Sequence, residues 1–287
     1  MNIRKKFPLV LVSLLVLVIW VLWANTALET TEYTVTSHGI PHSFSGFRIA
    51  QVSDLHNAAF GEDNSKLLTL LDQADPDIIV ITGDLIDSRD TDIDIALEFA
   101  RQAVRIAPVY YISGNHEARV SEYRDLKACL KDAGVVILEN QKVQVSSGGN
   151  SITLMGIDDP SFRESYLFGD SASVAHQAIE ELQDESDGYT ILLSHRPELF
   201  DVYVAADMDL VLAGHAHGGQ FRLPFLGGLV APNQGFFPEY DAGQFSSENT
   251  TMIVSRGLCN SIIPLRFNNR PEVILVTLRS SKSFDNH

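Results

Sequence analysis

Aspartate, asparagine and histidine recur along this chain in five short clusters: Asp54 and His56 in "DLH", Asp84 in "GDLID", Asn115 and His116 in "GNHE", His195 in "SH", and His215 with His217 in "AGHAHGGQ". Five of the nine histidines of the chain fall in these few positions, a concentration that scattered surface histidines do not produce. Carboxylate oxygen, amide oxygen and neutral imidazole nitrogen together suit borderline and hard divalent cations such as Mn, Fe or Zn. A thiolate site is excluded, because Cys129 and Cys259 both lie outside the clusters. Taken one at a time, each cluster has an ordinary explanation: a turn after a strand, or a proline-started helix in "SHRPEL". Their shared position at the ends of apolar runs is what argues for a metal site.

Those apolar runs are "FRIAQV", "DIIVIT", "VYYI", "ITLMG", "YTILL" and "MDLVLA". Short stretches of β-branched and large apolar residues read as strands covered on both faces. If Asp54 and His56 continue their strand, their i, i+2 spacing turns both toward one ion. Helical patterns lie between the runs: "NSKLLTLLDQAD" with Asn64 as its cap, "DIDIALEFARQAV", "SEYRDLKACLKDAG" ending at Gly134, and "ASVAHQAIEELQ". In these, Cys129 shares an apolar stripe with Leu126 and Leu130, and His176 reads as a partly exposed helix residue. Strands alternating with helices predict a layered α/β domain that binds its ligand at the carboxyl edge of the strands.

The first segment has a different character. Arg4, Lys5 and Lys6 precede an uncharged run over residues 7–24, long enough as a helix to cross a bilayer core of roughly 30 Å. Trp20 and Trp23 stand near its far end, where indoles favour the headgroup level, and the basic cluster predicts a cytoplasmic N-terminus with the remainder outside the cytoplasm. A cleaved signal peptide is the competing reading, but Ala24 and Ala27 do not have the spacing of its cleavage site. The expected organisation is an anchor over residues 1–27, a tether and first strand over 28–45, and a catalytic domain over 46–287. The chain holds 21 basic and 37 acidic side chains, a net charge of -16, so stable nucleic-acid binding is not expected. Past the last histidine pair, Phe221, Phe225, Leu226, Phe236 and Phe237 make an apolar, turn-rich stretch that reads either as a packed loop or as a pocket or membrane-facing lip.

The ordered motifs "DLH", "GDLID", "GNHE", "SH" and "GHAHGG" resemble those of the calcineurin-like metallophosphoesterase superfamily. The N-terminal span, "GHAHGGQFRLPFLGG" and "SRGLCNSIIPLRFNNRPEV" are similar to its membrane-anchored YaeI/YkuE-type branch. The resemblance implies a four-layer αββα sandwich holding two divalent metal ions. Asp54, His56 and His217 would bind the first ion, Asp84 would bridge, and Asn115, His195 and His215 would bind the second; His116 would sit over the phosphoryl group, oriented by Glu117. Arg256 and Arg266 could assist a phosphate or simply pair with acids. The expected function is a membrane-anchored phosphohydrolase cleaving a phosphodiester or pyrophosphate in a lipid or cell-envelope precursor. The alternatives are a broad nucleotide or nucleic-acid phosphodiesterase and a metal-binding scaffold without turnover.

Overall fold

The computed structural model describes residues 3–163, 170–184, 188–260 and 265–281, with residues 3–10 described by backbone alone. Part of the "SRGLCNSIIPLRFNNRPEV" stretch, residues 261–264, therefore lies outside the described residues, as do residues 282–287 of the expected catalytic domain.

The apolar runs become strands of two facing sheets. The first sheet has the order β1 (Glu29–Ser37), β16 (Glu272–Ser280), β2 (Arg48–Val52), β3 (Ile78–Thr82), β4 (Val109–Ile112), β5 (Val136–Ile137). The second runs β14 (Gly243–Ser247), β15 (Thr250–Val254), β9 (Leu210–Ala213), β8 (Thr190–Leu193), β7 (Asn150–Gly156), β6 (Gln141–Ser147). From β2 to β5 all pairings are parallel, as are those among β7, β8, β9 and β15, which is the arrangement that βα crossovers produce.

Alternation along each strand divides its side chains between two cores. In β3, Ile78 and Val80 face the other sheet, where they join Leu154, Ile191, Leu193, Leu210 and Leu212. Ile79 and Ile81 face outward, against α2 (Ser65–Ala74), α3 (Ile93–Ala103) and α4 (Tyr123–Asp132) through Leu67, Leu71, Phe99, Ala100 and Leu126. On the opposite flank Leu192, Val211, Met252 and Val254 meet α5 (Ser171–Leu182) and α6 (Phe200–Ala205) through Ile179, Phe200 and Tyr203. The result is helix, sheet, sheet, helix, with every central strand buried on both faces.

Local chemistry accounts for the helix ends. α4 closes where Gly134 takes φ +98° and the Val135 amide reaches back to the Leu130 carbonyl. Asn64 does precede α2, but it is itself left-handed and its side-chain oxygen accepts from the Phe60 amide instead of capping the helix. Cys129 packs against the first helical core, and His176 is half exposed beside Glu180.

At the N-terminus, α1 (Ile3–Thr26) is a single helix of 24 residues, about 36 Å at 1.5 Å per residue. Among the described residues no helix is long and apolar enough to cross a membrane. The part of α1 whose side chains are described begins at Leu11, short of the roughly 20 residues a bilayer core requires. Its far end is fastened to the domain. Trp20 meets Phe267 edge to face with centroids 5.0 Å apart, and the Arg270 guanidinium lies 4.7 Å from the Trp23 ring. Asn25 donates to the Arg266 carbonyl at 3.0 Å and accepts from its amide at 2.7 Å. After α1, β1 starts at Glu29 and pairs with β16 over its full length, at the edge of the first sheet.

Candidate metal centre

All five clusters lie immediately beyond strand ends. Asp54 and His56 follow β2, Asp84 follows β3, Asn115 and His116 follow β4, His195 follows β8, and His215 and His217 follow β9. Three of those strands belong to one sheet and two to the other, so the site occupies the seam between them. All of these residues are at most 9% exposed.

Asp54 and His56 do not meet by strand alternation, as their spacing had suggested. β2 stops at Val52, and the pair is not on extended backbone: Asp54 has φ 54° and His56 φ 45°. Asp84, His215 and His217 are also left-handed, at 50°, 66° and 48°. Five side chains in a region that non-glycine residues rarely occupy make a concentrated strain of the kind found at functional sites. Their convergence thus comes from left-handed turns. Glycine serves close approach here: at Gly214 an added Cβ would collide with the Ser53 hydroxyl and sit 2.7 Å from Asp54 Oδ2.

The donor atoms form two sets joined by one carboxylate. In the first, His217 Nε2 lies 3.4 Å and His56 Nε2 3.9 Å from Asp54 Oδ1, with Asp84 Oδ2 3.6 Å from the same His56 nitrogen. In the second, His195 Nε2 lies 3.2 Å from Asp84 Oδ2 and 3.2 Å from His215 Nδ1. Asp54, His56, Asp84 and His217 thus make one group able to hold an ion, and Asp84, His195 and His215 another. The remaining polar atoms fit cations as well. Both nitrogens of His56 and the side-chain oxygen of Asn115 are buried without a hydrogen-bond partner, a cost that a bound ion removes.

Ring tautomers are set from behind. His195 Nδ1 lies 2.7 Å from the Thr82 carbonyl and His217 Nδ1 3.0 Å from the Cys259 carbonyl, so each Nδ1 carries the proton and Nε2 turns to the site. Burial holds His56 at a pKa of about 3, overriding the pull of Asp84, and also lowers His217 and His215, so all three are neutral ligands near pH 7. His195 is the exception: burial opposes its charge, but the Asp84 carboxylate wins and lifts it to about 10. Without a cation, that site holds a proton where an ion would sit.

Further contacts assign work that the sequence reading missed or gave to other residues. Glu117, expected to orient His116, is fully buried and accepts from the backbone amides of Asp84, Leu85, Ile86 and Gly114 at 2.7–3.2 Å. It braces the loops that carry Asp84 and Asn115. The His116 ring is instead held by Ser88, whose amide donates to Nδ1 at 3.0 Å, with Asp87 Oδ1 3.4 Å away. Asp87 is the second acid of "GDLID", a signal present in the sequence but given no role there. Arg256 takes the structural course, bonded to Glu29, Glu272 and Thr31. Arg266 is buried, donates to the Arg256 and Cys259 carbonyls, and leaves Nε and Nη1 without partners. Arg196, next to His195 and unremarked in the sequence, is clasped by Asp159 at 2.6 and 2.9 Å and reaches His215 Nε2 at 3.2 Å.

Comparison with known proteins agrees with this geometry. Residues 47–219 match the family model for calcineurin-like phosphoesterase. The chain is 31% identical over 259 residues to the uncharacterized metallophosphoesterase YkuE of Bacillus subtilis, covering 88% of this chain and 86% of that one. It is 28% identical to the phosphodiesterase YaeI of Escherichia coli over 81% of this chain and 82% of that one. It is also 29% identical to a Bos taurus protein named transmembrane protein with metallophosphoesterase domain, over 95% of this chain and 62% of that one. Among solved structures, TT1561 of Thermus thermophilus shares the fold with a TM-score of 0.52 at 15% identity, over 75% of this chain and 91% of that one. The chain belongs to the calcineurin-like phosphoesterase family and is a metal-dependent hydrolase of the mixed α/β fold that family shares, with Asp/His clusters able to hold its two metals.

Proposed function

We propose that this chain is a membrane-anchored phosphohydrolase that cleaves a phosphodiester or pyrophosphate bond in a lipid or cell-envelope precursor. The observation that carries the catalytic half is the Asp84 carboxylate, whose Oδ2 stands 3.6 Å from His56 Nε2 and 3.2 Å from His195 Nε2 and so joins two donor sets. Asp54, His56 and His217 would hold one divalent ion, Asn115, His195 and His215 the other, with Asp84 shared. Bound there, two such ions supply the Lewis acidity that neutralises a phosphoester and lowers the pKa of water.

The protein's own groups do the rest. Asn115 contributes an oxygen without a charge, leaving the site attractive to an anion. His116 accepts the Ser88 amide on Nδ1, so its Nε2–H is placed to donate a hydrogen bond to a phosphoryl or leaving-group oxygen as charge builds there. Asp87 and Ser88 keep that ring from turning.

The anchored half rests on α1, whose 24 helical residues include exposed Leu11, Leu14, Leu15, Leu17, Ile19, Leu22 and Trp23. The word "transmembrane" in the name of the Bos taurus relative points the same way. Arg4, Lys5 and Lys6 at its N-terminal end favour a cytoplasmic N-terminus, and with it a single-pass protein whose catalytic domain lies outside the cytoplasm. A net charge of -16 disfavours the nucleic-acid alternative.

The test is a turnover screen of the full chain, loaded with Mn, against phospholipids, lipid-linked pyrophosphates, nucleotides and a chromogenic diester. Hydrolysis of a lipid-linked substrate, abolished together with metal content in Asp84→Ala, is the expected result. His116→Ala should keep its metal and lose about 10²–10⁴-fold in rate. Two bound ions with no turnover of any substrate would mark the chain as a scaffold.

A further inference from the structure

Among the described residues, large apolar side chains exposed outside α1 are concentrated in one place. Two short hairpins follow the His215 and His217 loop: β10 (Arg222–Leu223) with β11 (Gly227–Gly228), and β12 (Val230–Ala231) with β13 (Gly235–Phe236). At the tip of the first hairpin Phe225 is 107% exposed and Leu226 66%; at the open end of the second, where Phe236 pairs with Val230, Phe236 is 75% and Phe237 60% exposed, so these side chains stand clear of the domain instead of packing as a loop core. A water-facing surface has no use for four large apolar side chains on two successive hairpins, and exposed apolar groups of this size mark a binding surface.

The hairpins are joined to α1 through one residue. Phe267 forms a bridge with Phe221, its carbonyl accepts the Arg222 amide at 2.9 Å, and its ring meets Trp20 of α1 at 5.0 Å. Toward the site, the Leu229 amide between the two hairpins donates to the Gly219 carbonyl at 3.1 Å, two residues beyond His217. The first hairpin therefore starts from the level of Trp20, one turn inside Trp23.

We infer that the tip of the first hairpin and the exposed open end of the second dip into the bilayer that α1 enters, seating Phe225, Leu226, Phe236 and Phe237 among lipid headgroups and upper acyl chains. Exposed aromatic and leucine side chains on short hairpins beside a tryptophan-bearing helix are the composition that this interface favours. The seat fixes the domain at a second point besides α1, so that the loop of His215 and His217 is held at headgroup height. A phosphoester in a lipid headgroup is then the substrate within reach. This inference rests on the anchored reading given above, and its test separates the two.

The full chain would be reconstituted in nanodiscs of phosphatidylcholine and phosphatidylglycerol, with and without acyl bromination. In the unaltered chain Trp20 and Trp23 are the only tryptophans and report on α1. F225W and F236W each add a reporter at an exposed position, one at the first tip and one at the open end of the second hairpin, where the larger ring has space. The expected result is quenching of the native signal, with the added emission blue-shifted and quenched about twofold or more by brominated lipid. Water-like, unquenched added emission alongside quenched native emission would overturn the inference while leaving the anchor intact. An unquenched native signal would sink both. Blue-shifted emission insensitive to bromine, together with a cross-link between two chains at F225C, would assign the surface to a second copy and also overturn it.

Discussion

Replacing Gly214 by alanine tests whether this site is built by close approach of backbone and carboxylate. The added methyl would meet the Ser53 hydroxyl, Asp54 Oδ2 at 2.7 Å and Ser53 Cβ at 3.2 Å. Those atoms are fixed by one another: Ser53 Oγ donates to Asp54 Oδ2 at 2.6 Å, and the His215 amide clasps both Asp54 oxygens at 3.1 and 3.2 Å. Relief requires the serine to swing away, losing a charge-assisted hydrogen bond of about 1.5–3 kcal/mol. Overpacking a site with little freedom adds about 1–3 kcal/mol. The sum, about 2.5–6 kcal/mol, corresponds to a melting temperature lower by about 5–20 °C for a domain this size. Since Asp54 is displaced with its clasp, Mn affinity measured by titration calorimetry should weaken at least about tenfold, a loss of about 1.4 kcal/mol of binding. Adding Ser53→Ala removes the nearest obstruction, so the double variant should be less destabilised than the two single losses added together, by about 1–2 kcal/mol. Strict additivity, or a Gly214→Ala protein with unchanged melting and metal affinity, would refute the close-approach account.

Three further outcomes follow from the same contacts. Glu117→Gln leaves two of four backbone amides without an acceptor, which costs about 1–3 kcal/mol each, and should lower stability and metal affinity together; a change in turnover alone, with melting and affinity intact, would return Glu117 to the role of orienting His116. In the metal-free protein His195 is raised from 6.5 to about 10, so its contribution to stability is fully present below pH 6.5 and is lost as pH rises through 10. His56, held at about 3, is neutral in both states above 6.5 and does not blur that window. The gain in melting temperature on adding Mn should therefore widen from pH 6.5 upward, and a gain independent of pH would contradict it. Finally, Asn25→Ala removes both bonds from α1 to Arg266, whose guanidinium supports the Cys259 carbonyl behind His217; Mn affinity in the full chain should fall several-fold, and unchanged affinity would uncouple the helix from the site.

The sequence made the donor set legible because chemistry leaves residue types behind, whereas the geometry that unites them leaves fainter traces. Asp54, His56, Asp84, His195, His215 and His217 could be singled out because buried polar residues after apolar runs are unusual and because cation chemistry limits the donors to few types. Strand alternation supplied the wrong reason for their convergence, since nothing in "SDLH" announces that the chain leaves the strand at Ser53 and turns left-handed at Asp54 and His56. Glu117 shows a related limit: an acid next to a histidine in sequence suggests contact between them, and the contacts of its carboxylate to backbone amides 31–33 residues away leave no trace in that spacing. The grip on His116 came from Ser88, 28 residues earlier, through its backbone amide and its hydroxyl, a contact that spacing along the chain does not reveal.

That distinction explains where strain is tolerated in this fold. The strands β2, β3, β8 and β9 are buried on both faces, so their ends are fixed by cores on either side before any loop is formed. Left-handed conformations cost of order 1–3 kcal/mol each, and five of them on one rim could not persist on a pliable scaffold. They persist because Glu117, the Ser53 hydroxyl and the His215 amide secure the turns from behind, and because each turn aims a donor at a shared point. A bound ion then draws together groups that are already held close, so little ordering remains to oppose binding. The same rigidity extends outward through Cys259, Arg266 and Asn25 to α1, so the helix is held in one orientation to the rim.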